Sequence, residues 1–462
     1  MFTFGTGVGL VILAFVILGT IKARGVRTAS DYALAGRKAG SLEVSGILLG
    51  ALVGGASTVG TVEMAYRFGL SAWWFTLGGG IGCLVLGLWF ARPLRRTGLS
   101  TIPELLANRY GPKTGLVALA ASTIGTFISV VAQFLAGLAM LQGIWPLSDT
   151  AAAAGVALAI LGFILLGGLK SYGTLGKAKI SFLYLVLATC AGVSAAGGAT
   201  LPSLWKALPS HPWFNPFGRG LGLDLNAGLS LVVGVMTTQI YIQAVFSASS
   251  ERTARKGALL SAALMPPLGL LAIWVGLGMR AQQPGLVASQ VLPRFISQNF
   301  PPLVAGSLWS GIAITIIGTA AGLCLGIATN LARDLSPVFA RKKPTDQELL
   351  SHSRITLLVL VCGAAAVALL APGSLILSWS YLSMGLRGAG TFLPFAIAIL
   401  APGHLNPRWA FHSSLAGLVI VLAWPLSGLP GDPLFTGLFF SALCCAIGWK
   451  RKGTAWIKPS PS

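Results

Sequence analysis

Thirteen apolar runs, each of roughly 18 residues or more, recur along the chain at positions 4–21, 42–67, 71–91, 115–143, 151–169, 178–198, 228–248, 257–279, 303–331, 355–371, 374–400, 409–427 and 433–449. A helix rising about 1.5 Å per residue crosses a hydrocarbon core of about 30 Å in about 20 residues. Lipid offers no hydrogen bonds, so each run must satisfy its backbone internally, as a helix does. The pattern predicts an all-α membrane protein with about 13 transmembrane helices. Composition agrees: 9% of residues are charged and the mean hydropathy is +0.80, whereas soluble globular chains carry about 25% charged residues. A soluble enzyme is excluded on these grounds.

The net charge of +21 invites a nucleic-acid reading, but the placement of the cations opposes it. Of 32 Lys and Arg, 26 fall in one alternate set of loops and the C-terminal tail: 22–38, 92–113, 170–179, 252–256, 333–354, Arg408 and 450–458. The other set holds Arg67, Lys206, Arg219, Arg280 and Arg294, and Arg387 lies within a span. Cations concentrate on the cytoplasmic side of membrane proteins. This asymmetry predicts the N-terminus outside, the C-terminus in the cytoplasm and an odd number of spans in the cell (inner) membrane. A nucleic-acid surface would gather its cations on one face.

Residues 1–21 lack a basic segment before the apolar run and a clear small-residue cleavage site, so they are expected to be the first span. The six cysteines sit within apolar runs without metal-ligand spacing and are expected to be packing residues. His211, His352, His404 and His412 are isolated from one another and from Cys or carboxylate clusters, which suggests neither a metal site nor a catalytic triad. No organic cofactor is expected, and a monomer is expected to suffice.

No linker divides the chain, so residues 1–462 are expected to form one transmembrane domain. The second and seventh runs each open a group of five and carry a polar or glycine interruption: Val53-Gly54-Gly55-Ala56-Ser57-Thr58 and Met236-Thr237-Thr238-Gln239. Broken helices at matching positions of two halves point to a carrier with inverted repeats. The alternative is that the small residues simply admit close helix packing.

Several ordered pieces resemble the sodium:solute symporter family, which includes proline, pantothenate and sugar symporters. They are Asp31-Tyr32-Ala33-Leu34-Ala35-Gly36-Arg37, Ala65-Tyr66-Arg67-Phe68-Gly69-Leu70, Thr101-Ile102-Pro103-Glu104 with Arg109-Tyr110-Gly111, Gly167-Gly168-Leu169-Lys170, Gln243 with Ser250-Glu251-Arg252-Thr253-Ala254-Arg255-Lys256-Gly257, and Arg333-Asp334-Leu335. The resemblance implies a LeuT-type fold, with a first repeat over 41–198, an inverted second repeat over 228–400, and accessory helices and a basic cytoplasmic tail over 401–462. It implies alternating access between the repeats, with a small polar organic solute and a coupling ion bound there.

The resemblance also implies a sodium cage. Its oxygens would come from the carbonyls of Gly50 and Val53, the backbone of Thr315, and a hydroxyl pair at positions 318 and 319. Here that pair is Gly318 and Thr319, so one hydroxyl is missing, and the Thr315 side chain is a candidate substitute. A Thr-Asp pair expected after Gly167-Gly168-Leu169 is replaced by Leu175-Gly176, with Lys177 and Lys179 close behind. Two readings stay open. Sodium binds through the remaining oxygens, with the lysines as topology signals that snorkel to the cytoplasmic surface. Otherwise Lys179, or Lys177, occupies the cation site and transport is sodium-independent or proton-coupled, since a buried lysine can take up and release a proton.

Among the solute-site candidates, Glu63 is ionisable within a span and so a functional candidate by default. It would hold a cationic group or a proton, or pair with Arg67 one turn on. Arg387, flanked by Gly385, Gly388 and Gly390, requires a carboxylate, a phosphate or an array of carbonyls. Glu63 and a substrate carboxylate are both candidates. By register with the family, Ser57, Thr58, Thr237, Thr238 and Gln239 line the substrate cavity; the alternative is that they satisfy helix carbonyls. Trp73, Trp74 and Tyr241 are candidate gates, with interfacial anchoring the alternative for the two tryptophans. The sequence therefore predicts a secondary importer of an amino acid, organic acid, vitamin or sugar, coupled to sodium or, through Lys179, to protons or to nothing. A sensor built on a carrier fold is the remaining, distant reading.

Overall fold

Where the sequence alternates apolar runs with short polar turns, the chain is helical. The computed structural model describes residues 2–23, 38–99, 101–167, 169–331, 346–427 and 432–450, and among these it contains helices and two isolated β-bridges but no strand. The α-helices in chain order are α1 (Phe2–Ala23), α2 (Ser41–Leu52), α3 (Thr61–Phe68), α4 (Trp73–Val85), α5 (Ala91–Thr97), α6 (Ile102–Tyr110), α7 (Pro112–Gln142), α8 (Asp149–Gly167), α9 (Leu169–Ala196) and α10 (Leu201–Ala207). They continue as α11 (Leu221–Thr237), α12 (Gln239–Ser247), α13 (Glu251–Gln282), α14 (Val291–Asn299), α15 (Pro302–Asn330), α16 (Asp346–Leu370), α17 (Ile376–Leu400), α18 (Pro407–Ser427) and α19 (Pro433–Ile447).

Among the described residues each of the 13 apolar runs is largely helical, with breaks inside the second and the seventh. By length and hydropathy, six described stretches suffice to cross a membrane: Ala56–Thr97, Pro112–Gln142, Gly176–Ala196, Glu251–Gln282, Pro302–Ala328 and Ile376–Leu400. The pair α11 and α12, bent by 49°, makes a seventh. The Asp31–Arg37 motif, Gly168 and the Arg333-Asp334-Leu335 motif lie outside the described residues.

Both expected interruptions are real breaks. After α2 the backbone of Val53 is extended (φ −92°, ψ 101°), and the chain re-enters helix through a π-turn at Ala56–Gly60. Thr238 is likewise extended (φ −89°, ψ 118°) between α11 and α12. Freed backbone groups at such breaks need new partners in a membrane.

Two motif pieces have a local physical reading. Thr101 caps α6, its hydroxyl accepting from Glu104 N at 3.0 Å while Glu104 Oε2 accepts from Thr101 N at 3.4 Å. This reciprocal capping satisfies two donors that the helix start would leave unpaired. Gly69 ends α3 at φ 59°, a region open to glycine, and a Cβ there would strike the Trp213 carbonyl.

Candidate ion and solute site

The break after α2 lies between α7, α9 and α15, and Lys179 of α9 reaches into it. Its ammonium donates to Gly50 O and to Thr319 Oγ1, each at 2.6 Å. The Thr319 hydroxyl is also 3.3 Å from Gly50 O and 3.1 Å from Val53 O. Lys179 is buried, at 6% exposure. Carrying a cation into a membrane interior costs about 2.5–3.5 kcal/mol on insertion scales, and charge-assisted hydrogen bonds return about 1.5–3 kcal/mol each. Two such bonds are enough to hold the ammonium there.

Lys177 goes elsewhere. Two residues on a helix are about 200° apart, and Lys177 Nζ instead lies 3.6 Å from Glu43 Oε1, where both side chains are more than one-third exposed. Only one of the two lysines therefore reaches the cage. Gly176, read from the sequence as a lost carboxylate, has a steric reason to be glycine: a Cβ there would collide with the Gly46 carbonyl of α2. The close α2–α9 approach that excludes a side chain at 176 also brings Lys179 into the break. At Gly318 there is no such crowding, since a Cβ would meet only Phe163 Cζ, at 3.7 Å. The Thr315 hydroxyl donates to Gly311 O of its own helix at 2.8 Å.

The polar residues of the two breaks mostly hydrogen-bond to backbone. Ser57 Oγ accepts from Gly54 N and donates to Gly54 O, at 2.9 and 3.0 Å, and Thr58 Oγ1 donates to Gly54 O at 2.8 Å. In the second break Thr237 donates to Val233 O at 2.9 Å and Thr238 to Gly234 O at 2.6 Å. Gln239 Oε1 accepts from Ile102 N at 3.1 Å, tying α12 to the start of α6. All five are buried. A cavity of about 70 Å³ lies at the α16–α17 turn, between the end of α7 and the start of α8, lined by Gln142, Asp149, Ser374 and Ile376 among others and by none of these five.

Glu63 and Arg387 do not meet. The ion pairs among the described residues are Arg96–Glu251, Lys177–Glu43 and Arg219–Asp224. Glu63, buried on α3, accepts from Ile376 N at 3.0 Å through Oε2, which places a carboxylate at the positive end of α17. Its Oε1 has no hydrogen-bond partner among the described residues. Arg387 of α17 is fully buried. Its Nε donates to Ser383 O at 3.2 Å, its Nη1 to Thr126 Oγ1 at 3.1 Å, and its Nη2 to Ser129 Oγ, Ser383 Oγ and Met384 Sδ at 3.3, 3.0 and 3.1 Å.

The aromatic candidates separate. Trp74 is half-buried, donates to Pro216 O at 2.7 Å and packs on Phe217 with ring centroids 5.4 Å apart. Trp73 donates to Pro266 O at 3.0 Å. Tyr241 is buried near Arg387.

Two residues that the sequence reading missed stand out. Gln133 Oε1 accepts from Gly55 N at 2.7 Å and so partners the first break directly. Asp224 is fully buried at the start of α11, bonded to Arg219 Nε at 2.7 Å and to Ser71 Oγ at 3.0 Å. Both could have been flagged as polar positions at the centre or edge of apolar runs.

The sequence model of the sodium:solute symporter family matches residues 32–417. High-affinity choline transporter 1 of Drosophila melanogaster is 23% identical over 394 residues, 81% of this chain and 62% of that protein, so the match spans less than two thirds of that relative. High-affinity proline transporter PutP of Bacillus subtilis is 25% identical over 435 residues, 87% of each chain. In three dimensions, a Na+-coupled sialic acid symporter in a substrate-bound outward-open state superposes with a TM-score of 0.83 at 13% identity, over 98% of this chain and 100% of that one. These relatives are transporters and not enzymes. With the family's sequence pattern running through most of its length and a carrier's fold around its broken helices, this multi-pass membrane protein belongs to the sodium:solute symporter family.

Proposed function

We propose that the chain is a secondary carrier for a small polar organic solute in which the Lys179 ammonium occupies the cage that relatives fill with sodium, so that transport does not depend on sodium at that position. The observation that carries this is the pair of 2.6 Å bonds from Lys179 Nζ to Gly50 O and Thr319 Oγ1. Those two oxygens belong to the set that the family resemblance assigns to the ion. The Gly318 position, which lacks the second hydroxyl, fits the same reading. A lysine carries one positive charge, as sodium does, but it is tethered to the chain and can exchange a proton. Coupling to protons follows if it does so during the cycle; otherwise the carrier is uncoupled.

Thirteen spans, an outer N-terminus, a cytoplasmic C-terminus and five-plus-five inverted repeats over 41–198 and 228–400 complete the proposal. Support comes from the loop charges, the helices on every apolar run and the paired breaks at Val53 and Thr238. Alternating access would work by moving the two broken helices against their neighbours, with solute bound near the breaks. The choline and proline named for two relatives differ in charge and leave the solute class open.

The test is solute uptake into proteoliposomes at fixed pH, with sodium replaced by potassium. Equal uptake supports the proposal, as does stimulation by an inward proton gradient imposed in a second, sodium-free arm. Strong stimulation by sodium would sink it.

A further inference from the structure

We infer that Arg387 is the anchor of a carboxylate subsite, and that the transported solute carries a carboxylate that pairs with this guanidinium. The inference rests on the reading of the chain as a carrier and names the class of its solute. The charge on Arg387 has no carboxylate opposite it among the described residues, and every acceptor it has is neutral: one carbonyl, three hydroxyls and a thioether. Among the described residues, the titratable group near it is the Tyr241 phenol of α12. A guanidinium so deep in a membrane protein ordinarily pairs with an anion or lines a polar pathway.

The unfilled capacity lies on the fork of the guanidinium. Nη1 carries two N–H groups and has one acceptor among the described residues, Thr126 Oγ1. Nη2 has two hydroxyl acceptors and, as its third partner, Met384 Sδ at 3.1 Å, a thioether that accepts weakly. The two oxygens of a carboxylate match that pair of nitrogens in the bidentate arrangement that arginine favours. The hydroxyls of Ser129 and Ser383, 2.6 Å apart, stand beside the same nitrogens, with the Ser383 proton held by the Gly125 carbonyl.

The location suits a transported ligand. Met384 lies between the guanidinium and the second break: the Thr238 hydroxyl is 3.8 Å from Met384 Sδ, and a Cβ at Gly234 would run into the same side chain. Methionine is flexible and yields to a ligand readily. The ligand has to displace that side chain, which separates the bend at Thr238 from the guanidinium.

The test uses the purified full-length protein in detergent at pH 7. Its thermal unfolding is followed with potassium acetate, propionate, lactate and benzoate, against potassium chloride at equal ionic strength and against the matching amides. At least one carboxylate is expected to raise the midpoint where its amide does not, because a ligand of the folded state stabilises by mass action. Arg387→Gln is expected to abolish that shift, and Arg387→Lys to weaken the affinity by about tenfold through loss of the fork. If Arg387→Gln fails to fold, the carboxylate–amide contrast in the wild type and the Arg387→Lys titration decide. The inference is overturned if no carboxylate stabilises beyond chloride, if amides or tetramethylammonium do as well, or if the shift survives in Arg387→Gln. Sodium is absent from every arm, so failure here leaves the sodium-independence proposal standing. Sodium-stimulated uptake of a carboxylate would instead sink that proposal and leave this one.

Discussion

Two buried cations, Lys179 and Arg387, sit in the same helical assembly and are held in different ways. Lys179 is a point charge whose oxygens, Gly50 O and Thr319 Oγ1, both lie at 2.6 Å. Arg387 is a planar fork with five acceptors at 3.0–3.3 Å, one of them sulfur. A compact ammonium in a tight oxygen cage behaves as a built-in ion, whereas a loosely satisfied fork is a receptor for another charge. The contrast fits the two proposals, which give coupling to Lys179 and solute recognition to Arg387.

Removing Lys179 should break the comparison most strongly. Lys179→Gln removes the charge-assisted bonds to Gly50 O and Thr319 Oγ1, and uptake should fall by about 100-fold, in line with about 1.5–3 kcal/mol for each such bond. Lys179→Ala with Gly318→Ser should instead convert the carrier, because the serine has room beside Phe163 and restores the missing hydroxyl. Its uptake is expected to become sodium-dependent in proteoliposomes. Continued indifference to sodium would weaken the assignment of the cage.

The next effect is steric. Gly176→Ala drives a methyl into the Gly46 carbonyl and should lower stability by about 1–3 kcal/mol. Because the α2–α9 approach also positions Lys179, uptake should drop with the melting temperature. Full activity in Gly176→Ala would uncouple that packing from the cage.

Smaller effects are expected where a charge serves the scaffold. Glu63→Ala removes an acceptor from the start of α17, worth about 1 kcal/mol. Thermal unfolding should register that loss, and Glu63→Gln should recover most of it. Smallest of all is Glu251→Gln on the exposed Arg96–Glu251 pair. The hydrogen bond from Arg96 holds the Glu251 carboxyl below the usual carboxylate range. Any stabilisation is therefore present at neutral pH and lost as pH falls through the folded value. With the pair exposed to solvent, no measurable change in melting temperature is expected at physiological salt.

The helices were legible in the sequence because a membrane allows little else for long apolar runs. The breaks at Val53 and Thr238 were legible because glycine, serine and threonine interrupt those runs in matching places. Side-chain partners were harder to read. Glu63 looked suited to a cationic solute group, a proton, Arg67 or Arg387, and the structure gives it the Ile376 amide, a donor that lies 313 residues away. Gln239 looked like a cavity residue and bonds to Ile102 N. Both depend on which helix ends meet, and no local pattern encodes that. Lys179 was nameable in advance because its neighbourhood departed from the family's pattern, but choosing it over Lys177 required the helical phase of α9 against α2.

The central claim, that Lys179 serves as the resident cation, has a direct test that needs no knowledge of the solute. Purified protein is titrated with sodium chloride against potassium chloride at constant ionic strength and pH, and thermal unfolding is recorded for the wild type and for the Lys179→Ala, Gly318→Ser double variant. The account predicts superimposable sodium and potassium curves for the wild type and a saturable, sodium-specific rise in melting temperature for the variant. Saturable stabilisation of the wild type by sodium and not by potassium would contradict it.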